Sequence, residues 1–138
     1  EQITLSREIL EEDIGISQLE NSLVVFDDVD NLQDKEISKY IHALVDDLIS
    51  NGRKKSITIL YLGHQLMNYT KTRNLLNESN RVVFFNNGTS YHIRKFLQIY
   101  AGLEKDVIAK IQSLKSRWVC ICLCNQPYIL HETGAFIL

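Results

Sequence analysis

Two adjacent carboxylates, Asp27 and Asp28, close the apolar run Leu23-Val24-Val25-Phe26, and a turn-forming segment, Val29-Asp30-Asn31, follows them. A short continuous apolar run bounded by turn signals predicts a fully buried strand. Acids at the carboxyl end of such a strand lie where open α/β sheets place their ligands. Paired there, one carboxylate can hold Mg²⁺ through its water shell while the other orients or deprotonates an attacking water. The plainer alternative is an acidic turn that caps the next helix. A second polar cluster, Gly63-His64-Gln65, ends the run Ser56 to Leu62. A glutamine at that edge can bond both a γ-phosphate oxygen and the attacking water, as a neutral sensor does. His64 could share that work, although a lone histidine at a strand end more often serves as a local hydrogen-bonding residue.

The elements that must position these residues are legible in the periodicity. A short helix is expected near Ser6 to Asp13, and Val24 to Phe26 form the first strand. Asp34-Lys35-Glu36 opens a helix with acids near its positive end. Its apolar residues Ile37, Tyr40, Ile41, Leu44, Val45, Leu48 and Ile49 follow the i, i+3, i+4, i+7 series, and Asn51-Gly52 closes it as a left-handed cap would. Ser56 to Leu62 reads as a second strand, Thr72 to Glu78 as a short helix and Arg81 to Phe85 as a third strand stopped by Asn86-Asn87-Gly88. Helices over Tyr91 to Tyr100 and Glu104 to Leu114 follow, separated by Ala101-Gly102. Trp118 to Cys124 makes a fourth strand, and Tyr128 to Leu130 pairs with Ala135 to Leu138 as a hairpin. Strands alternating with helices predict one α/β domain with a mostly parallel sheet and helices on its faces.

Composition narrows the function classes. The 138 residues fit one domain with a genuine core, and 45% hydrophobic content with one proline fits a globular α/β protein. A net charge of −2 announces no overall basic field for nucleic acid, although Arg53-Lys54-Lys55 and Lys71 to Arg73 cluster locally. Cys120, Cys122 and Cys124 alternate along one strand, a spacing that suits buried thiols in a reducing compartment better than disulfides or zinc. No run of 18 apolar residues predicts a membrane span. The chain begins with Glu1 and its one methionine is Met67. Glu1 is therefore read as other than the natural start, and the chain as a fragment or processed product.

The order of these parts resembles the FtsK/HerA superfamily of DNA-pumping ATPases. An apolar strand ending in Phe26-Asp27-Asp28, an amphipathic helix and a strand ending in Gly63-His64-Gln65 are similar to its Walker B and sensor elements. Thr72-Arg73-Asn74-Leu75-Leu76-Asn77-Glu78-Ser79, Arg81 to Phe85, and Ile93 to Leu103 look like segments of the genome-packaging ATPases of large DNA viruses, of the poxvirus type, and of virophages. The resemblance covers about residues 20–130 and implies an incomplete RecA-like P-loop NTPase fold, with the Walker B strand onward from about residue 22. It also implies a homo-oligomeric ring that binds ATP and Mg²⁺ between subunits and threads double-stranded DNA, independent of sequence, toward a capsid or portal-type protein. Localisation would be the host cytoplasm or viral factory, or the virion. Asp27 would match the Mg²⁺-binding acid, Asp28 the water-polarising acid and Gln65 the γ-phosphate sensor, with His64 as a further nucleotide contact. Arg73 and Arg81, and less directly Arg94, are candidates for the arginine supplied by a neighbouring subunit. Arg53, Lys54 and Lys55 are candidates for DNA phosphate contacts.

One part is missing. A phosphate loop, G-x-x-x-x-G-K-[ST], needs glycine amides around the phosphates and a lysine at the β/γ oxygens. None of the six glycines is followed by lysine. In the family that loop precedes Walker B, so it would fall upstream of Glu1, and the chain alone should hydrolyse ATP poorly. The alternative is a non-catalytic RecA-like module for assembly or DNA binding that lacks the loop by descent. A receiver-like phosphoacceptor domain is disfavoured, because it needs an aspartate where Gly63-His64-Gln65 ends the second strand.

Overall fold

A computed structural model describes residues 6–12, 14–64, 72–85 and 91–138. The chain groups into two compact units, Glu1–Gln65 and Leu66–Leu138, each with its own apolar core.

The first unit is built on strand β1 (Leu23–Asp27), helix α1 (Lys35–Asn51) and strand β2 (Thr58–Leu62). Asp34 caps α1: its carboxylate accepts the backbone N–H groups of Glu36 at 2.9 Å and Ile37 at 3.4 Å, two donors that the helix itself leaves unpaired. The apolar stripe read from the sequence then buries Ile37, Ile41, Val45 and Leu48 against Phe26, Val29, Ile57 and Ile9. The predicted left-handed cap at Gly52 is absent. Gly52 has right-handed helical angles and starts a 3-10 turn through Lys55, and Ser56 (φ 55°) takes the left-handed position instead. Gly52 is buried because the turn presses it against Ile57, 3.3 Å from where a Cβ would stand.

β1 and β2 pair in parallel, Leu23 opposite Thr58 through Asp27 opposite Leu62. Val24, Phe26, Ile59 and Tyr61 share the face that joins the core, whereas Leu23, Val25, Leu60 and Leu62 remain about half exposed on the other. The expected fully buried strand is thus covered on one face.

In the second unit a short helix, α2 (Arg73–Glu78), leads into strand β3 (Arg81–Phe85). Helices α3 (Tyr91–Ile99) and α4 (Lys105–Gln112), strand β4 (Trp118–Cys122) and the hairpin β5 (Tyr128–His131) and β6 (Gly134–Ile137) complete it. These strands form a four-stranded sheet in the order β3-β4-β5-β6, antiparallel throughout. Val82, Phe84, Val119, Ile121 and Ile129 point to one face and bury against Ile93, Phe96, Leu97, Ile108 and Ile111 of α3 and α4.

This architecture corrects the predicted fold. It is α/β in content, but a two-stranded parallel sheet and a separate four-stranded antiparallel sheet replace the RecA-like, mostly parallel sheet with helices on both faces. The reason lies between β3 and β4. One crossover helix returns a chain to the end where its strand began, and the next strand runs parallel. Two successive helices leave it at the opposite end. Here α3 and α4 are joined through Gly102, whose φ of +65° permits the tight reversal, and β4 runs back along β3. No described helix is long and apolar enough to cross a membrane.

Candidate functional site

The parallel register of β1 and β2 carries both strand ends to one edge of the first unit. Asp27 is the last residue of β1, opposite Leu62, and its exposed side chain lies on the face away from α1. The next residue leaves the strand. Asp28 takes left-handed angles (φ 58°, ψ 22°), and its amide donates to the Leu62 carbonyl at 3.4 Å, extending the pairing by one bond. That turn aims the Asp28 carboxylate across the edge, where Oδ1 lies 2.7 Å from Nε2 of His64 and accepts from Nδ2 of Asn31 at 3.1 Å. The acid pair is therefore split: Asp27 is exposed on the open face with no side-chain partner among the described residues, and Asp28 is held by two neighbours.

A third acid lies deeper. The 3-10 turn Val29–Asn31 buries Val29 in the core and brings Asp30 back beneath the strand ends. There the Tyr61 hydroxyl donates a short hydrogen bond to Oδ1 of Asp30. The other oxygen, Oδ2, is buried without a hydrogen-bond partner among the described residues. A Cβ on Gly63 would stand 2.7 Å from that oxygen and 3.0 Å from the Tyr61 ring, so a larger residue between β2 and His64 would force the Asp30 carboxylate or the Tyr61 ring to move. Burial first, and then the hydrogen bond and charge of Asp30, push the Tyr61 hydroxyl well above the usual tyrosine range. Asp30 and Tyr61 were not singled out in the sequence. The signal that could have found them is a polar atom on an otherwise apolar face: Tyr61 sits opposite Phe26 in the register, its ring centroid 6.3 Å from that of Phe26.

Of the predicted site residues, the structure brings together Asp27, Asp28 and His64. Gln65 lies outside the described residues. Arg73, at the start of α2, Arg81, at the start of β3, and Arg94, in α3, are exposed and belong to the second unit. The basic cluster Arg53-Lys54-Lys55 occupies the turn before β2, at the opposite end of the parallel pair from the acids, and Lys55 approaches Glu20 at 3.5 Å. Cys120 and Cys122 are buried with their sulfurs 3.9 Å apart, and Cys124 is exposed. Burial pushes the Cys120 thiol up to about 11, which makes it a poor nucleophile and metal ligand.

The residues fit a weakly held magnesium in part. Among those described, no three His, Cys, Asp or Glu side chains converge to hold a metal directly. Magnesium needs no such cage, since it keeps several waters and takes one or two carboxylates together with substrate phosphates. Asp27 is free to offer one.

No family model and no solved structure matches the chain. It is similar to a protein of the Sputnik virophage described as "Uncharacterized protein V3", with 32% identity over 123 residues, which are 88% of this chain and 50% of that protein. The chain thus spans about half the length of the virophage protein that it matches.

Proposed function

We propose that this chain is part of a motor ATPase that couples hydrolysis of Mg-ATP to the movement of double-stranded DNA into a viral capsid. The observation that carries the reading is the 2.7 Å contact between His64 and Asp28 at the carboxyl ends of two parallel strands, beside a free Asp27. The likeness to a virophage protein agrees with its viral side.

In this reading Asp27 would hold a magnesium ion through its water shell, and the ion would supply positive charge to the phosphates of a bound nucleotide. Asp28 polarises the attacking water, and His64 with Asn31 fixes the direction in which its carboxylate points. Gln65, directly after His64, contacts the γ-phosphate, and Arg73 or Arg81 of a neighbouring subunit in a ring stabilises charge on the transferring oxygens. The phosphates need a glycine-rich cradle from outside these residues. DNA contact is through phosphates, because a translocating motor must accept any sequence. Such a motor works in the host cytoplasm or viral factory.

A non-catalytic module for assembly or DNA binding is the second reading. It is favoured by the Asn31 and His64 contacts to Asp28, which also suit a purely structural turn.

The experiment is Mg-dependent ATP turnover by the whole gene product, compared with Asp28→Asn. Hydrolysis should vanish in the variant while nucleotide binding persists. Undiminished turnover would remove Asp28 from the chemistry, and a wild type that binds no nucleotide would favour the second reading.

A further inference from the structure

Strand β3 is one edge of the four-stranded sheet, and among the described residues no strand pairs with its outer side. One bond at its start fixes which backbone groups that edge presents. The Leu123 amide donates to the Asn80 carbonyl at 2.8 Å, and these two residues are opposite in the continued register. In an antiparallel pair, residues bonded in this way alternate with residues whose N–H and C=O groups point away. Asn80, Val82 and Phe84 therefore bond to β4, whereas Arg81, Val83 and Phe85 turn both backbone groups outward. The side chains of these three share the face away from α3 and α4, where Val83 is 59% exposed and Phe85 77%. Natural edges are guarded by proline, bulges or charges. Between Arg81 and Phe85 there is no proline, and the one charge stands at the end.

The pattern is complementary to itself. Turned about a twofold axis through Val83, a second copy of β3 lies antiparallel to the first. Its Phe85 then stands opposite Arg81, its Val83 opposite Val83 and its Arg81 opposite Phe85. Every outward residue meets an outward residue, so all the free N–H and C=O groups between Arg81 and Phe85 find partners. A slip of one residue would set outward groups against inward ones and lose those bonds. On the open face a guanidinium stands beside a phenyl ring at each end, a favourable pairing of cation and π face. The two exposed valines cover one another at the centre. Like charge does not oppose the arrangement. The two copies of Arg81 are four residues apart along the seam, roughly 13 Å, which exceeds the ~8 Å screening length at physiological salt.

We infer that β3 is a self-pairing edge, through which two copies of this chain join their sheets by antiparallel pairing of Arg81 to Phe85 about Val83. The contact is isologous, so it closes at two copies and is distinct from a head-to-tail ring interface. Five residues a side are fewer than the about 20–30 of a standard interface, so the dimer is weak and depends on concentration. The inference does not rest on the nucleotide chemistry of the first unit.

The test sediments the full chain between about 10 and about 500 µM, where contacts of micromolar to millimolar strength begin to fill. Mass should rise from one chain toward two and stop there. Phe85→Lys, at an exposed position, sets like charges opposite one another twice and should weaken the dimer roughly tenfold, and adding Arg81→Glu should restore it. Val83→Pro removes the central outward donor without touching the bonds to β4 and should abolish the dimer. If Val83→Pro alters the circular dichroism, the Phe85→Lys pair of variants decides. A monomer throughout would overturn the inference. So would a dimer that Phe85→Lys leaves unchanged or that Arg81→Glu fails to rescue. Assemblies that keep growing would overturn it too, since they would show a heterologous pairing, such as β3 on β6.

Discussion

Oδ2 of Asp30 stands 2.7 Å from the point where a Cβ on Gly63 would sit, so a buried carboxylate oxygen and the backbone between β2 and His64 are in direct apposition. The relationship links the turn after β1 to the end of β2, and through them the placement of Asp28 and His64.

Gly63→Ala should therefore destabilise the first unit by about 1–3 kcal/mol, the usual cost of forcing an extra carbon into a packed site. Urea unfolding measures it. Combined with Asp30→Ala, the loss should be smaller than the sum of the two single changes, because the second removes the atom that the first strikes. Additive losses would show that the two residues do not meet.

Tyr61→Phe removes the donor to Asp30 and should cost about 1–3 kcal/mol, since it leaves a partly buried carboxylate without that partner. The same bond has a signature in alkali. Tyr61 is held above its unfolded value of 10.0, so its stabilising contribution is complete below that pH and declines as pH rises above it. An ultraviolet titration of the folded protein should show one tyrosine ionising after the rest, and Tyr61→Phe should delete that last step.

Two carboxylates contribute to the acid limb. Hydrogen bonds from Arg7 and the α1 backbone hold Asp34 below its usual range, and those from Arg117 do so for Glu132. Groups of this kind stabilise fully above their unfolded values of 3.8 and 4.5, and the contribution fades as pH falls through the lower folded values. Melting temperature should accordingly drop below about pH 4.5, and Asp34→Asn with Glu132→Gln should flatten that drop. A slope identical to wild type would mean that neither ion pair persists in solution.

His64→Ala should lower ATP turnover of the whole gene product roughly ten- to a hundredfold, as misplacement of a reacting group does, with little change in nucleotide affinity. Restoration by His64→Gln or His64→Asn, which keep a donor near Asp28, would separate positioning from proton transfer. A variant with unaltered turnover would assign the Asp28–His64 contact to structure alone.

Phe96, fully buried and stacked on Tyr100 with ring centroids 6.2 Å apart, anchors the second unit. Phe96→Ala should cost about 3–5 kcal/mol through lost burial and the cavity left behind. Trp118 fluorescence should report the unfolding of this unit.

Much of the local structure follows from the sequence alone. The apolar stripe from Ile37 to Ile49 specifies α1 because 3.6-residue periodicity is a property of neighbouring residues, and Asp34 marks its start for the same reason. The five-residue runs that became β1, β2, β3 and β4, the hairpin near Gly134, and the acids at the end of β1 were equally legible. Pairing direction was not drawn from them, although both helices between β3 and β4 were read. Strands that read alike can run parallel or antiparallel, and the choice between β3 and β4 was made when two helices, rather than one, packed between them against the same core. Tertiary structure also decided which faces stay open, since Leu23, Val25 and Phe85 look as apolar in sequence as Phe26 and Phe84, which are buried. It alone brought Asp30 under Gly63 and against Tyr61, residues some thirty positions apart, because only the parallel register of β1 and β2 makes the two strand ends neighbours.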